Sequence, residues 1–202
     1  DREGIADVMK EAGCFYPPIH LIWHFGEVEH EITRPVYMQA SLATDLFKGG
    51  WVAPLEASGG PQQTAGGQRG TVFTVDEGVI TQLMLSYLAA GNVNIAFWSW
   101  NHRPGGWEAG EYGMTSYAGD ITPWAKEAGR VIAGMERYHD ELWEIRQEVR
   151  VGLLQCWDNE AIYLQEAERH ELQEAPSSSA RGTKNQPNRA YIGLARALIN
   201  HQ

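Results

Sequence analysis

Cysteine is scarce in this chain, which has only Cys14 and Cys156 among its 202 residues. The two lie in apolar runs that are far apart in the sequence. A fold held together by disulfides needs a larger and more closely spaced set of cysteines, so such a scaffold is disfavoured. We expect two free, buried thiols, because free cysteine packs like a small apolar side chain. The cysteine count leaves the cellular compartment undecided.

Basic residues are also few. The chain has 16 Lys and Arg against 26 Asp and Glu, a net charge of -10, and no cluster of more than two basic residues. Nucleic acid is therefore not an expected partner. All apolar runs fall short of the about 20 residues that span a bilayer, so no membrane is expected either. No signal-peptide pattern opens the chain, but it begins with Asp1, so we expect a piece of a longer protein and leave its localisation open.

Apolar and aromatic residues are abundant, at 43% and 10% of the chain, which is enough for one large or two small domains. Three segments in series each have the pattern of a helix followed by a short apolar strand. The predicted helices cover 5–10, 34–47 and 74–91, the last opened by a capping box, and the predicted strands cover 14–16, 51–55 and 92–100. Because the longest loops follow the strands, this order predicts an α/β fold with a parallel sheet and its chemistry at the strands' C-terminal ends.

The last third of the chain changes character. Thr122-Pro123 is predicted to start the longest helix, which runs to about Arg146. A fresh buried strand is predicted over 149–157, and a last helix over 189–199 follows the polar run 171–188. This restart predicts a domain boundary near Gln147. One strand and one helix are too few for a separate core, so we expect the chain to be truncated at its C-terminus as well.

The segment from Gly50 to Gly60 is the most informative stretch. Its apolar run, predicted as a strand over 51–55, delivers Glu56 into a glycine-rich break. A carboxylate there is costly to leave buried and unpaired, so it either reaches solvent in a cleft or has dedicated partners. The alternative is an ordinary exposed glutamate at the end of a strand.

Further candidate residues follow the other two predicted strands. Tyr16 ends the first strand and Trp100 ends the third, while Glu108 and Glu111 lie in the loop after it. A carboxylate, a phenol and aromatic rings at one rim are what a sugar site requires. Each residue has an alternative interpretation, since the aromatic rings could be core and the acids solvated. Trp23 and His24, in the loop 20–33, are further candidates that could instead only pack within that loop.

The motifs resemble a known family. Pro54-Leu-Glu-Ala-Ser-Gly-Gly-Pro61 and Phe97-Trp-Ser-Trp-Asn-His-Arg-Pro-Gly-Gly-Trp-Glu108 are similar to motifs of glycoside hydrolase family 42, the retaining β-galactosidases. The resemblance implies the C-terminal part of a (β/α)8 TIM barrel over 1–146. It also implies the beginning of a flavodoxin-like α/β domain over 147–202, which the family uses to form trimers.

The resemblance also implies roles for single residues. Leu55-Glu-Ala-Ser matches the nucleophile motif of the seventh barrel strand, which makes Glu56 the nucleophile. Tyr16 matches the sixth-strand tyrosine that orients the nucleophile, Trp100 the eighth-strand tryptophan of the sugar subsite, and Glu108 a sugar-binding glutamate. The acid/base residue of the family lies upstream of Asp1. Neither a metal nor a cofactor is implied, and the histidines have no spacing that would require a metal.

Two departures from the family pattern bear on the substrate. Glu111 stands where the family has a sugar-binding histidine, and Asn101 stands where it has an arginine. The expected activity is hydrolysis of β-linked oligosaccharides in a β-galactosidase-like manner. A β-mannosidase, a β-glucuronidase or another β-glycosidase is an alternative, and a carbohydrate-binding relative without catalysis is a further one.

Overall fold

A computed structural model describes most of the first three quarters of the chain and parts of the rest. The described residues are 8, 11–15, 32–47, 51–54, 56–61, 75–106, 108–154, 156, 158–159, 161–162, 165, 193–195 and 197–200. The chain divides into two compact units, Glu3–Gln147 and Glu148–Gln202. Tyr16, Trp23 and His24 lie outside the described residues, so their roles stay predictions.

Strands and helices alternate along the first unit. Its described elements are β1 (Cys14–Phe15), α1 (Thr33–Leu46), β2 (Trp51–Val52), β3 (Ala57–Ser58), α2 (Glu77–Ala89), β4 (Phe97–Trp98), α3 (Pro123–Arg137) and α4 (His139–Glu144). β1 pairs with β2 and β3 pairs with β4, and both pairs are parallel. The two strands of each parallel pair are therefore connected through a helix: β1 and β2 through α1, and β3 and β4 through α2.

β2 and β3 are two parts of one extended stretch. The amide of Val93 donates to the Val52 carbonyl (3.1 Å) and that of Ala96 to the Pro54 carbonyl (2.9 Å). Farther along, the Ala57 amide donates to the Ala96 carbonyl (2.8 Å) and the Gly59 amide to the Trp98 carbonyl (3.0 Å). The prediction that the strand ends at Glu56 is wrong, because the parallel pairing continues to Gly59.

This ladder has one extra residue between Pro54 and Ala57. In a regular parallel ladder, the amide and the carbonyl of one residue bond to two residues of the neighbouring strand that are two positions apart. The amide and carbonyl of Ala96 instead bond to Pro54 and Ala57, which are three positions apart. The extra residue is the mark of a β-bulge, which bends a strand and redirects a side chain. Glu56 lies in this bulge.

The helix boundaries follow from local capping. Asp76 caps α2, since its carboxylate accepts a hydrogen bond from the Val79 amide (2.8 Å). The predicted capping box places the cap two residues earlier, at Thr74. α3 begins as predicted, with the Thr122 hydroxyl accepting from the Ala125 amide (3.2 Å) and with proline in the first turn. The predicted single helix to about Arg146 is wrong, because α3 ends at Arg137 and α4 starts after Tyr138.

The core of the first unit lies between the helices and one face of the strands. α2 supplies the most buried side chains, and Val36 and Ala40 of α1 and Ala128 and Val131 of α3 pack into the same cluster. Ala57 of β3 belongs to this cluster and Phe97 of β4 packs against it. Since side chains alternate along a strand, the next residues, Ser58 and Trp98, lie on the opposite face of the sheet.

The second unit differs from its prediction. Residues 149–154, the described part of the predicted buried strand, are not in a strand, and Leu154 is 93% exposed. An apolar strand is stable only with a neighbouring strand and a layer to cover it, and the described residues 148–154 form no strand pairing. Residues 193–195 and 197–200 are helical. Both cysteines are free, but Cys156 is exposed and Cys14 half-buried, so the prediction of buried thiols is wrong for Cys156.

None of the helices in the described part of the chain is both long and apolar enough to cross a membrane.

Candidate functional site

The loop between β4 and α3 folds back onto the end of β4. The Ser99 amide donates to the Tyr112 carbonyl (2.8 Å), the Met114 amide to the Ser99 carbonyl (2.9 Å), and the Thr115 amide to the Trp100 carbonyl (2.9 Å). α3 holds the other side of the loop, because the Trp124 indole donates to the Gly113 carbonyl (3.0 Å). The loop is thus a defined structure anchored at both of its ends.

Three side chains form a cluster at the start of this loop. The indole Nε1 of Trp98 donates to Oε2 of Glu108 (3.3 Å), and Nη1 of Arg103 lies 3.4 Å from the same oxygen. The Arg103 guanidinium also lies over the Trp98 ring, 5.1 Å from its centroid. A hydrogen bond and an ion pair therefore converge on one carboxylate oxygen, and a cation covers one face of the indole.

The backbone fixes the spacing of this cluster. The Gly110 amide donates to the Arg103 carbonyl (3.1 Å), and the backbones of Arg103 and Ala109 form an isolated parallel β-bridge. These bonds close the loop between Arg103 and Glu108, so the two side chains are held close together by the main chain. Glu108 keeps 23% of its side chain exposed, which leaves the carboxylate accessible from solvent.

Glu56 immediately precedes β3, the strand that pairs with β4, and it lies nearer the N-terminal end of this strand pair than the cluster does. Ser58 is the register partner of Trp98, so Glu56 precedes the level of Trp98 by two residues, roughly 7 Å along the sheet. Because Glu56 lies in the bulge before Ala57, regular strand alternation does not determine the face of its side chain. Its side chain is half-buried. The register thus places Glu56 beside β4, two residues before the level of Trp98.

The other predicted site residues differ in accessibility. The Trp100 side chain is 64% exposed and Asn101 is exposed, whereas Glu111 is only 3% exposed. Trp100 is fixed by its backbone, since its carbonyl accepts hydrogen bonds from the Thr115 amide and hydroxyl. Trp100 and Asn101 are accessible to a ligand, and Glu111 is covered by the protein.

Trp98 and Arg103 are not among the sequence-predicted site residues. An indole within an apolar strand is usually core, and an arginine in a glycine-rich loop is usually solvated. The signal in the sequence is weak: Phe97 and Trp98 must point to opposite faces, so only one of them can face the helices. Pairing of Arg103 with Glu108 depends on how the loop closes, which the spacing of five residues does not determine.

His102 packs under the same loop. Its ring stacks on Tyr117, with centroids 4.9 Å apart, and lies against Gly113, where a Cβ atom would be 2.6 Å from Nδ1. That Nδ1 atom is buried and has no hydrogen-bond partner among the described residues. The close fit between His102 and Gly113 fixes the middle of the loop.

Within the described residues, no group of three or more His, Cys, Asp or Glu side chains is arranged to hold a metal ion. The polar groups of the site include the carboxylates, the indoles, the Arg103 guanidinium and the Asn101 amide. Such a set binds hydroxyl groups through the carboxylate oxygens and sugar rings through the aromatic faces.

Comparison with models of protein families gives no match for this chain. Comparison with curated proteins gives none either. The relation to glycoside hydrolase family 42 thus rests on the motifs in the sequence and remains a proposal.

Proposed function

We propose that the protein is a retaining β-glycoside hydrolase of the β-galactosidase-like type, acting on β-linked oligosaccharides. The observation that supports this most is the placement of Glu56 and the Trp98–Glu108 pair on neighbouring parallel strands and the loop after them. A half-buried carboxylate on one strand, with an indole and a partly exposed carboxylate at the end of its neighbour, supplies the groups that a sugar subsite needs.

In this mechanism Glu56 attacks the anomeric carbon of the bound sugar. A bond forms between its carboxylate oxygen and that carbon while the bond to the leaving-group oxygen breaks. A second carboxylic acid gives its proton to the leaving oxygen and later takes one from the water that releases the sugar. By the family resemblance that acid precedes Asp1 in the intact protein, and Tyr16 orients Glu56.

The remaining residues bind the sugar. Glu108 accepts hydrogen bonds from sugar hydroxyls, and the indoles of Trp98 and Trp100 offer faces on which a pyranose stacks. Trp100, exposed beyond the level of Trp98, fits an outer part of such a subsite. No metal or cofactor takes part in the proposed reaction.

Labelling of the nucleophile tests the proposal. The full-length protein is incubated with a 2-deoxy-2-fluoro β-galactoside, which slows release of the covalent intermediate, and the labelled peptide is mapped. We expect the label on Glu56. In addition, Glu56→Gln should retain the fold and lose several orders of magnitude in rate, because a neutral amide forms no glycosyl-enzyme. Label on Glu108 or Glu111 would contradict the assignment.

The identity of the sugar is a separate question. Glu111 and Asn101 depart from the family pattern, which favours a β-glycosidase for another sugar, such as a β-mannosidase, as the second candidate. A screen of 4-nitrophenyl β-glycosides separates the two, since the best substrate identifies the sugar. Assembly as a trimer, implied only by the resemblance of residues 147–202, is tested by sedimentation of the full-length protein.

A further inference from the structure

We infer that Arg103 is a positioning residue, which holds the Glu108 carboxylate against Trp98 so that its second oxygen receives a hydroxyl of an uncharged sugar. This inference rests on the proposed function, because it assigns a task within the same subsite. Arg103 does not itself touch the reacting atoms in this arrangement. It acts through Glu108 and Trp98.

The first step of the argument is the geometry of the carboxylate. Oε2 of Glu108 accepts a hydrogen bond from the Trp98 indole at 3.3 Å and forms an ion pair with the Arg103 guanidinium at 3.4 Å. Oε1 has no hydrogen-bond partner among the described residues, although a carboxylate oxygen can accept two. The hydrogen bond and the ion pair fix the rotation of the carboxylate and, within the described residues, leave Oε1 as its open acceptor.

The second step is the way Arg103 itself is held. Its guanidinium lies over the Trp98 ring at 5.1 Å from the centroid, and its carbonyl accepts the Gly110 amide at 3.1 Å. The planar guanidinium can stack on the indole and still reach the carboxylate with one of its N–H groups. Arg103 therefore joins the indole and the carboxylate into one arrangement, which a shorter or uncharged side chain cannot do.

The third step is the charge that a ligand meets. The positive charge of Arg103, 48% exposed, is offset by Glu108, and Glu56 is a further, partly exposed acidic group of the predicted site. A ligand carboxylate would meet more negative than positive charge there. A hydroxyl, in contrast, can donate to Oε1. The subsite thus selects hydroxyl groups and disfavours a uronic acid.

Steady-state kinetics of Arg103 variants test this role. The full-length protein and the variants Arg103→Met, Arg103→Gln and Arg103→Lys are assayed with 4-nitrophenyl β-D-galactopyranoside. We expect Arg103→Met to raise KM about tenfold with kcat changed less than about threefold, since the lost contact binds substrate and transition state alike. Arg103→Lys, which keeps the charge, should recover part of the loss in KM.

Arg130→Met is the matched control. Arg130 also pairs with a glutamate, Glu127, but on helix α3 and not in this loop. The Arg130→Met variant should leave KM unchanged, even if its melting temperature is lower than that of the unaltered protein. If Arg103→Met does not fold, as judged by circular dichroism, Arg103→Gln provides the same comparison, because it too removes the charge.

The outcomes separate the two proposals. An unchanged KM in Arg103→Met or Arg103→Gln, with or without a lower melting temperature, overturns the positioning role while the hydrolase proposal stands. If the KM of Arg103→Lys is not lower than that of Arg103→Met, the charge of Arg103 has no role in positioning. Absence of turnover on every aryl β-glycoside by the unaltered protein overturns the proposed function, and this inference with it.

Discussion

Gly60 lies directly against Gly113, so that a Cβ atom on Gly60 would be 2.5 Å from the Gly113 carbonyl oxygen. Gly59 is equally confined, since its Cβ would lie 2.9 Å from the carbonyl oxygens of Trp98 and Tyr112. The end of the strand that carries Glu56 therefore packs backbone against backbone with the loop that carries Glu108. The absence of side chains at these two positions allows the close approach of this strand end and the loop.

Replacement of Gly60 should separate the strand from the loop. Gly60→Ala should reduce the free energy of unfolding by about 1–3 kcal/mol, because a backbone carbonyl cannot move aside as a side chain can. Gly105→Ala, in the same loop but with nothing within 4 Å of its Cβ, is the control. Chemical denaturation measures both variants. An equal stability of Gly60→Ala and Gly105→Ala would contradict the close packing.

Removal of the Tyr87 hydroxyl should not destabilise the protein. Tyr87 is fully buried, its hydroxyl has no hydrogen-bond partner among the described residues, and burial raises the pKa of this phenol. A buried polar group without a partner carries a desolvation penalty of about 1–3 kcal/mol. Tyr87→Phe should therefore leave the free energy of unfolding unchanged or increase it by up to about 2 kcal/mol.

Tyr37→Phe is the matched control for Tyr87→Phe. The Tyr37 hydroxyl accepts a hydrogen bond from Nε2 of Gln147 at 3.1 Å. Its loss should destabilise the protein by about 0.5–1.5 kcal/mol, as measured by urea unfolding. If Tyr87→Phe is the more destabilising of the two variants, the Tyr87 hydroxyl must have a hydrogen-bond partner in the folded protein.

Acid should weaken the contact between α2 and α3. Hydrogen bonds from Arg130 and from the Thr81 hydroxyl lower the pKa of Glu127 from 4.5 to about 2. A carboxyl whose pKa is lower in the folded state stabilises the fold fully above its unfolded pKa. That contribution is lost as the pH falls through the folded pKa, so the window runs from about pH 4.5 to about pH 2.

Urea unfolding of Glu127→Gln across this window tests the effect. The variant should be less stable than the unaltered protein at pH 7, and the difference should shrink below pH 4.5 and vanish near pH 2. High salt should reduce the difference, because Arg130 is exposed. Glu136→Gln, an exposed acid on the same helix, is the control. A difference that does not change with pH would show that Glu127 acts through packing alone.

The two tryptophans at the end of β4 should differ in their effect on activity. Trp98 donates to the Glu108 carboxylate, while Trp100 is mostly exposed. A hydrogen bond to a charged group contributes about 1.5–3 kcal/mol, which corresponds to a factor of about ten or more. Trp98→Phe should therefore lower kcat/KM for an aryl β-glycoside at least about tenfold, and Trp100→Phe less. The reverse order would identify Trp100 as the main sugar platform, as the motif comparison implies.

Local signals in the sequence predict the helices of the first unit well. Thr122-Pro123 starts α3 because the hydroxyl caps the first turn and proline suits it, and both effects act within a few residues. The break at Tyr138 is not predictable in this way, since the three-and-four spacing of apolar residues continues across it. Asp76 caps α2 through the Val79 amide, two residues after the cap that the sequence predicts; Thr74 lies outside the described residues.

The sequence alone predicts α1, α2 and the start of α3, and it shows that Glu56 and Glu108 are acids in glycine-rich surroundings. The tertiary structure decides that Glu56 lies in a bulge and not at a strand end, because that depends on the Ala96 backbone some forty residues away. It also decides that Trp98 and Arg103 hold Glu108. Hydrophobic periodicity acts along one element, whereas strand register and loop closure depend on hydrogen bonds between distant segments.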